Sequence, residues 1–225
     1  MRVAPICAPI CALICAQLLA TSAGADSFRI TLGGTVLGTL AYSENGSGST
    51  LRTTLDNTPL GVFNGTFAAT SSATAQGAEF NSDSQSSRKS RQIAFATAQG
   101  HVTTVSVIPG HERTALSDPE QVPPGVTDPV RTIGHLLRAS GCPAPIRFYD
   151  GRRVIAITPQ GSSGSPGALA CTMSYRVTHG PGHLSPLRIA RATLELHYAT
   201  GSSGQSLQRI RLSAGVFTVT LDRTG

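Results

Sequence analysis

A cluster of serines and small residues is the first segment whose composition could support chemistry. Residues 161–167 read GSSGSPG, and counting from Gly161 places Ser163 at the nucleophile position of the G-x-S-x-G motif. Ser165 stands where the motif closes with glycine, and the alternating pattern that follows predicts a strand where the motif needs a helix. We interpret the segment as a flexible loop, and a hydrolase is the least favoured function.

Two histidines in the segment HGPGH have a spacing that can bind zinc. His179 and His183 are four residues apart, which would place them on one face of a helix. Pro181 and two glycines disfavour a helix at this point. Other histidines could join them only through the tertiary fold, so no metal site is predicted.

A third candidate is a cluster of charged residues on two neighbouring predicted strands. Glu195 and His197 share one strand face, as do Arg209 and Arg211, because side chains alternate along a strand. An acid–base pair is one interpretation. Cross-strand ion pairing on a sheet surface is the favoured one, so no catalytic residue is assigned.

The segment FYDGRRV, residues 148–154, combines an aromatic pair, an Asp-Gly and an Arg pair. Asp150-Gly151 between apolar runs predicts a two-residue hairpin turn. Arg152 and Arg153 would then begin the next strand and point to opposite faces, so they are not expected to hold one anion together. One arginine is expected to pair with an acid or a carbonyl and the other to face water.

The remaining motifs exclude several classes of function. No glycine-rich loop has the spacing of a P-loop or a dinucleotide-binding turn, and no cofactor is predicted. Residues 26–225 contain no Trp and only eleven Phe and Tyr. Because proteins that bind single-stranded nucleic acid combine basic grooves with stacking aromatics, nucleic acid is not an expected partner.

Charge is distributed unevenly along the chain. Residues 26–140 contain eight Lys and Arg against nine Asp and Glu, whereas residues 141–225 contain nine Arg against three acids. The basic half is suited to an anionic component of the cell envelope. A solvated sheet face is the favoured explanation of this charge.

Short segments of alternating apolar residues dominate the sequence. FRITL and TVLGTLAY flank Gly33-Gly34, a hairpin signal, and similar segments continue to VFTVTLD at residues 216–222. Strands of this length joined by tight turns predict a mainly β fold, an antiparallel meander that forms a curved sheet or open β-barrel.

One α-helix is predicted at about residues 129–140, after a Pro-rich crossing at 109–127. Asp128 suits the N-cap and Pro129 the first helical position. Val130, Ile133 and Leu137 form one apolar face. Gly141 suits a left-handed stop after the helix, which should lie on the sheet.

The N-terminus predicts export. A short basic start, an uncharged run from Val3 to Ala20 and a small-x-small site predict a signal peptide at residues 1–25, leaving a single β-rich domain at 26–225. After its removal the protein should not be an integral membrane protein, and the periplasm is the expected location. Cys142 and Cys171 remain, which predicts one disulfide; two separate buried thiols are the alternative.

The chain resembles an exported bacterial family, domain of unknown function 3108. The residues that carry the resemblance are GGTVLGTLAYS, VPPGVTDPVRTIGHLLRASG, IRFYDGRRVIAI and CTMSYRVTHGPGH. It extends from about Phe28 to Leu221, although HGPGH replaces the family's usual small apolar-Gly turn. The resemblance implies a mostly β envelope protein without an established activity.

These observations predict a non-catalytic exported protein that binds a lipid or other apolar ligand in its curved sheet. The alternative is a scaffold or assembly module of the envelope that contacts anionic partners through Arg209 and Arg211.

Overall fold

The computed structural model describes residues 25–58, 64–87, 89–183, 188–201 and 204–225. The predicted signal peptide, apart from Ala25, lies outside the described residues. Thirteen strands run through this part of the chain: β1 (Asp26–Leu32), β2 (Thr35–Asn45), β3 (Gly48–Leu55), β4 (Gly65–Ala73), β5 (Gly77–Ser86), β6 (Ser90–Ala98), β7 (His101–Ile108), β8 (Ile146–Tyr149), β9 (Val154–Ser165), β10 (Ala168–His179), β11 (Arg191–Gly201), β12 (Gly204–Ala214) and β13 (Phe217–Arg223).

All strands belong to one antiparallel sheet. Its order is β7-β6-β5-β4-β3-β2-β1-β13-β12-β11-β10-β9-β8, so β1 and β13 pair in the middle and β7 and β8 are the edges. The edges do not pair with each other in the described part of the chain. The predicted antiparallel meander with an open barrel is therefore confirmed.

The sheet curves until its two edges face each other. The ring of Phe95 on β6 lies 4.9 Å from that of Tyr149 on β8, centroid to centroid. The crossing at residues 109–127, which follows β7, contains three short 3-10 helices. It spans the seam, which is the gap between the two edge strands β7 and β8. At its end, Gly125 N donates to Gly100 O (2.7 Å) and Thr127 N donates to Arg147 O (2.9 Å), so it bonds to both sides.

Helix α1 (Pro129–Arg138) begins where the sequence pattern places it. Asp128 is the N-cap, and its Oδ1 accepts from Arg131 N at 2.9 Å, while Pro129 needs no donor at the first position. The helix ends at Arg138, two residues earlier than expected, because Ala139 is extended (ψ 127°). Gly141 does not adopt the left-handed conformation expected of it.

Helix α1 lies inside the curve of the sheet. It contacts β3 and β4 on one side and β8 and β12 on the other. Ser71 Oγ donates to Asp128 Oδ2 (2.7 Å), and Tyr198 Oη donates to Leu136 O (2.9 Å). The side chain of Val130 is fully buried. The sequence predicts a curved sheet that encloses an apolar ligand, but this helix packs within that space.

A disulfide joins Cys142 to Cys171, as predicted, with their Cα atoms 5.5 Å apart. It ties the segment that leaves α1 to the inner face of β10, where Cys171 is fully buried. No helix in the described residues is long and apolar enough to span a membrane.

Candidate functional site

The FYDGRRV segment forms a four-residue turn, and the predicted two-residue turn is wrong. Tyr149 pairs with Val154, so residues 150–153 all lie outside the strands. Asp150 Oδ1 accepts from Arg152 N (3.0 Å) and Arg153 N (2.9 Å), and this side-chain bonding favours the wider loop. Gly151 has φ +90°, and a Cβ here would collide with Ile93 of β6.

This wider turn changes the direction of both arginines. Because Arg152 and Arg153 precede β9, strand alternation does not separate them, and both line one pocket. The strand alternation behind the expectation that they could not hold one anion together therefore does not apply at this turn. The expectation that one of them faces water is wrong, because Arg153 is only 8% exposed and the side chain of Arg152 17%.

Arg152 belongs to a group of three cations around one carboxylate. Glu112, a buried residue of the crossing, is 3.1 Å from Arg152 Nη2, 2.9 Å from Arg91 Nη2 and 3.4 Å from Lys89 Nζ. Burial raises the pKa of Glu112, but the cations outweigh it and hold the pKa below its ordinary value. Burial and then Arg91 lower the pKa of Arg152. The cluster therefore keeps an excess of positive charge.

Arg153 belongs to a second, buried group of side chains. Its Nε is 3.0 Å from Asp150 Oδ2, and its Nη1 donates to His183 Nδ1 at 2.5 Å. Because a guanidinium only donates, Nδ1 must accept, so Nε2 carries the proton and donates to Tyr175 Oη at 2.8 Å. Burial and Arg153 lower the pKa of His183 to about 4. Burial raises the pKa of Tyr175, which therefore keeps its proton.

The two groups meet at a cavity of about 260 Å³ beside the turn. Its apolar wall comes from the inner face of β4–β6, the start of α1 and Phe148 of β8. Its lining residues are Phe67, Phe80, Ser82, Ser84, Arg91, Ile93, Pro129, Phe148, Asp150, Arg152 and Arg153. Arg91 Nε is buried there without a hydrogen-bond partner in the described residues. We call the end of the barrel that carries this cavity the pocket rim.

Arg91 and Glu112 were not singled out by sequence reasoning. Arg91 lies on β6 and Glu112 in the crossing, at sequence separations from Arg152 of 61 and 40 residues. Neither stands in a motif. Only the curvature of the sheet brings β6 to the β8–β9 turn, so no local signal could have identified them.

The predicted polar cluster is an outward-facing pair of ion pairs. Arg211 Nη1 donates to Glu195 Oε2 at 2.9 Å, and Arg209 forms a close ion pair with Asp222. His197 is opposite Arg209 in the register, and its Nε2 is buried without a hydrogen-bond partner in the described residues. These side chains do not line the pocket, and their arrangement is that of cross-strand pairing.

The other two candidates do not form sites. Ser163 lies within β9, opposite Ala170, so the segment predicted to be a flexible loop is mostly strand. His179 is exposed and contacts Thr178, while both ring nitrogens of His183 are occupied, one by a cation. The described residues contain no group of three His, Cys, Asp or Glu that could hold a metal.

Comparison with known proteins supports the fold alone. No protein-family model matches the sequence, and no curated protein matches it significantly. Among solved structures, the crystal structure of a β-barrel-like protein of domain of unknown function DUF1849 from Brucella abortus matches 89% of this chain and 94% of its own. The identity is 14% and the TM-score 0.52, so the likeness is one of architecture.

Proposed function

We propose that this protein is a non-catalytic binding module of the bacterial cell envelope whose pocket takes a small amphiphile with one anionic group. The excess of positive charge around Glu112, where Arg91 and Arg152 both line the pocket, carries the proposal. A carboxylate, sulfonate or phosphate oxygen that enters the pocket would compensate this charge through charge-assisted hydrogen bonds. The phenylalanine rings that share the pocket favour an apolar group beside that anion.

The size of the cavity limits the ligand. A volume of about 260 Å³ is below the range usual for drug-sized ligands. A short or aromatic apolar group fits this volume better than the lipid expected from the sequence, because α1 packs within the curve of the sheet.

Export to the periplasm and membership of the domain-of-unknown-function 3108 family are parts of the proposal. The basic, then apolar N-terminal segment supports export. The disulfide between Cys142 and Cys171 is compatible with an oxidising compartment. A hydrolase is not favoured, because Ser163 lies within a strand opposite Ala170.

Calorimetric titration with phenyl phosphate tests the pocket, with phenol and inorganic phosphate as separate arms. Phenyl phosphate should bind more tightly than either, because only it satisfies both the arginines and the rings. Arg91→Gln should weaken its binding about 10- to 100-fold, since a hydrogen bond to a charged group contributes roughly 1.5–3 kcal/mol.

The matched control is Arg29→Gln, which removes an exposed arginine of β1 outside the pocket. It should leave binding unchanged. Equal affinity for phenol and phenyl phosphate, or an Arg91→Gln variant that binds like the wild type, would contradict the proposal.

A further inference from the structure

Positive charge is concentrated at the pocket rim. This rim comprises the turns β1–β2, β5–β6, β8–β9, β10–β11 and β12–β13, the ends of β3 and β7, the first residues of the crossing (109–113), and the strand residues next to them. Its described residues include eight Lys and Arg and three Asp and Glu. The rest of the described chain has eight Lys and Arg and nine Asp and Glu, so the excess of positive charge lies at this rim.

Four of these cations belong to the two groups beside the pocket: Lys89, Arg91, Arg152 and Arg153. The other four are all exposed: Arg113, Arg176, Arg188 and Arg191. None forms an ion pair with a carboxylate within the part of the chain that the structure describes. Their charge is therefore available to a partner.

The strand register sharpens this observation. Arg176 of β10 is directly opposite Arg191 of β11, a like-charged pair that destabilises a sheet. Elsewhere on the same outward face the register places Glu195 opposite Arg211 and Arg209 opposite Asp222, where charges compensate. An anion outside this chain would compensate the pair at the rim.

The exposed apolar residues lie at the same rim. Three large apolar side chains are exposed in the described residues: Val36 at the start of β2 (49%), Ile108 at the end of β7 (56%) and Val216 in the β12–β13 turn (92%). Single exposed apolar residues are ordinary, but all three share the rim that carries the excess charge. Apolar tips among unpaired cations suit an anionic lipid surface, since a purely polar polyanion would need only the cations.

We propose that the pocket rim docks on a membrane surface of anionic lipid. The unpaired arginines contact the lipid headgroups. The exposed apolar side chains of the rim, Val216 foremost, enter the boundary between headgroups and acyl chains. The inference rests on the rim's charge and exposed apolar residues and does not require the pocket to bind a ligand, so either proposal can fail alone.

Co-sedimentation of the purified protein with phosphatidylglycerol vesicles tests the inference, with phosphatidylcholine vesicles as the neutral surface. Binding should require phosphatidylglycerol and should weaken strongly in 0.5 M NaCl, because salt screens exposed charges. Arg176→Gln/Arg191→Gln should weaken binding about 30-fold, at about 1 kcal/mol for each charge near an anionic surface. Val216→Ser should weaken it up to about tenfold through lost apolar burial.

The matched control is Arg29→Gln/Arg52→Gln, which removes two exposed arginines away from the rim and should have a much smaller effect. Three results would overturn the inference. They are equal binding to both vesicle types, binding to neither type (with or without retention on dextran sulfate), and equal loss of binding in both double variants.

Discussion

Two consecutive arginines with different partners define the site at the scale of the residue. Arg152 shares Glu112 with Lys89 and Arg91, which leaves a cationic excess beside the cavity. Arg153 joins Asp150 to His183. The turn residue Asp150 makes this division possible. Its carboxylate accepts hydrogen bonds from the backbone N–H groups of Arg152 and Arg153, which keeps both residues in the turn and out of strand β9.

Neutral His183 should make stability depend on pH. Its pKa of about 4 in the folded protein is below the ordinary 6.5, so the unfolded chain binds the proton first as pH falls. The free energy of unfolding should therefore be highest above about pH 6.5, decrease towards pH 4 and level off below it. The loss from this group is at most about 3 kcal/mol.

Urea unfolding of the wild type and His183→Gln between pH 7 and pH 4 measures this contribution. Glu112 and Asp150 are present in both proteins, so the difference between the two pH profiles reports the titration of His183 together with its coupling to Asp150 through Arg153. The wild type should lose more stability than the variant over this interval. Parallel pH profiles would show that His183 does not titrate as described.

At the scale of the element, α1 is held by polar contacts at both ends. Asp128 caps its start and accepts from Ser71, while Arg138 at its end donates to Tyr42 Oη (3.3 Å) and forms a close ion pair with Glu44. An amphipathic helix of ten residues is marginal alone, so these contacts and its buried face determine where it lies.

Gly134→Ala distinguishes helix propensity from packing. In an exposed helix this change would stabilise by about 1 kcal/mol. Here a Cβ would overlap the hydroxyl of Tyr42, a residue that is only 3% exposed. We expect a net loss of about 1–2 kcal/mol in urea unfolding, because overpacking outweighs propensity.

Tyr42→Phe provides the matched background, because it removes the hydroxyl that a new Cβ would meet. Gly134→Ala should cost clearly less in that background than in the wild type. A stabilising Gly134→Ala in the wild type would show that the helix shifts freely within the barrel.

At the scale of the whole molecule, three links hold the curved sheet around α1. The crossing bonds to both sides of the seam, β1 pairs with β13, and the disulfide ties the exit of α1 to β10. The first two act through backbone hydrogen bonds, and the third is covalent.

Removing the disulfide should lower the free energy of unfolding by about 3–4 kcal/mol. The bonded cysteines are 29 residues apart, and the chain-entropy model gives this value for such a loop. Cys142→Ser/Cys171→Ala measured by urea unfolding tests it, and the wild type unfolded with a thiol reductant should behave similarly. A change below about 1 kcal/mol would show that the other two links suffice.

The sequence by itself determined the features that are local. Alternating apolar residues and glycine turns specify an antiparallel meander, Asp128-Pro129 specify a helix start, and the two cysteines outside the predicted signal peptide predicted the bridge. Only the tertiary structure decided that α1 packs within the curve, that Arg91 and Glu112 meet Arg152, and that the net charge gathers at one rim. Local patterns set dihedral angles and faces, whereas these outcomes depend on how far the sheet curves, which is a sum over thirteen strand pairings and twists.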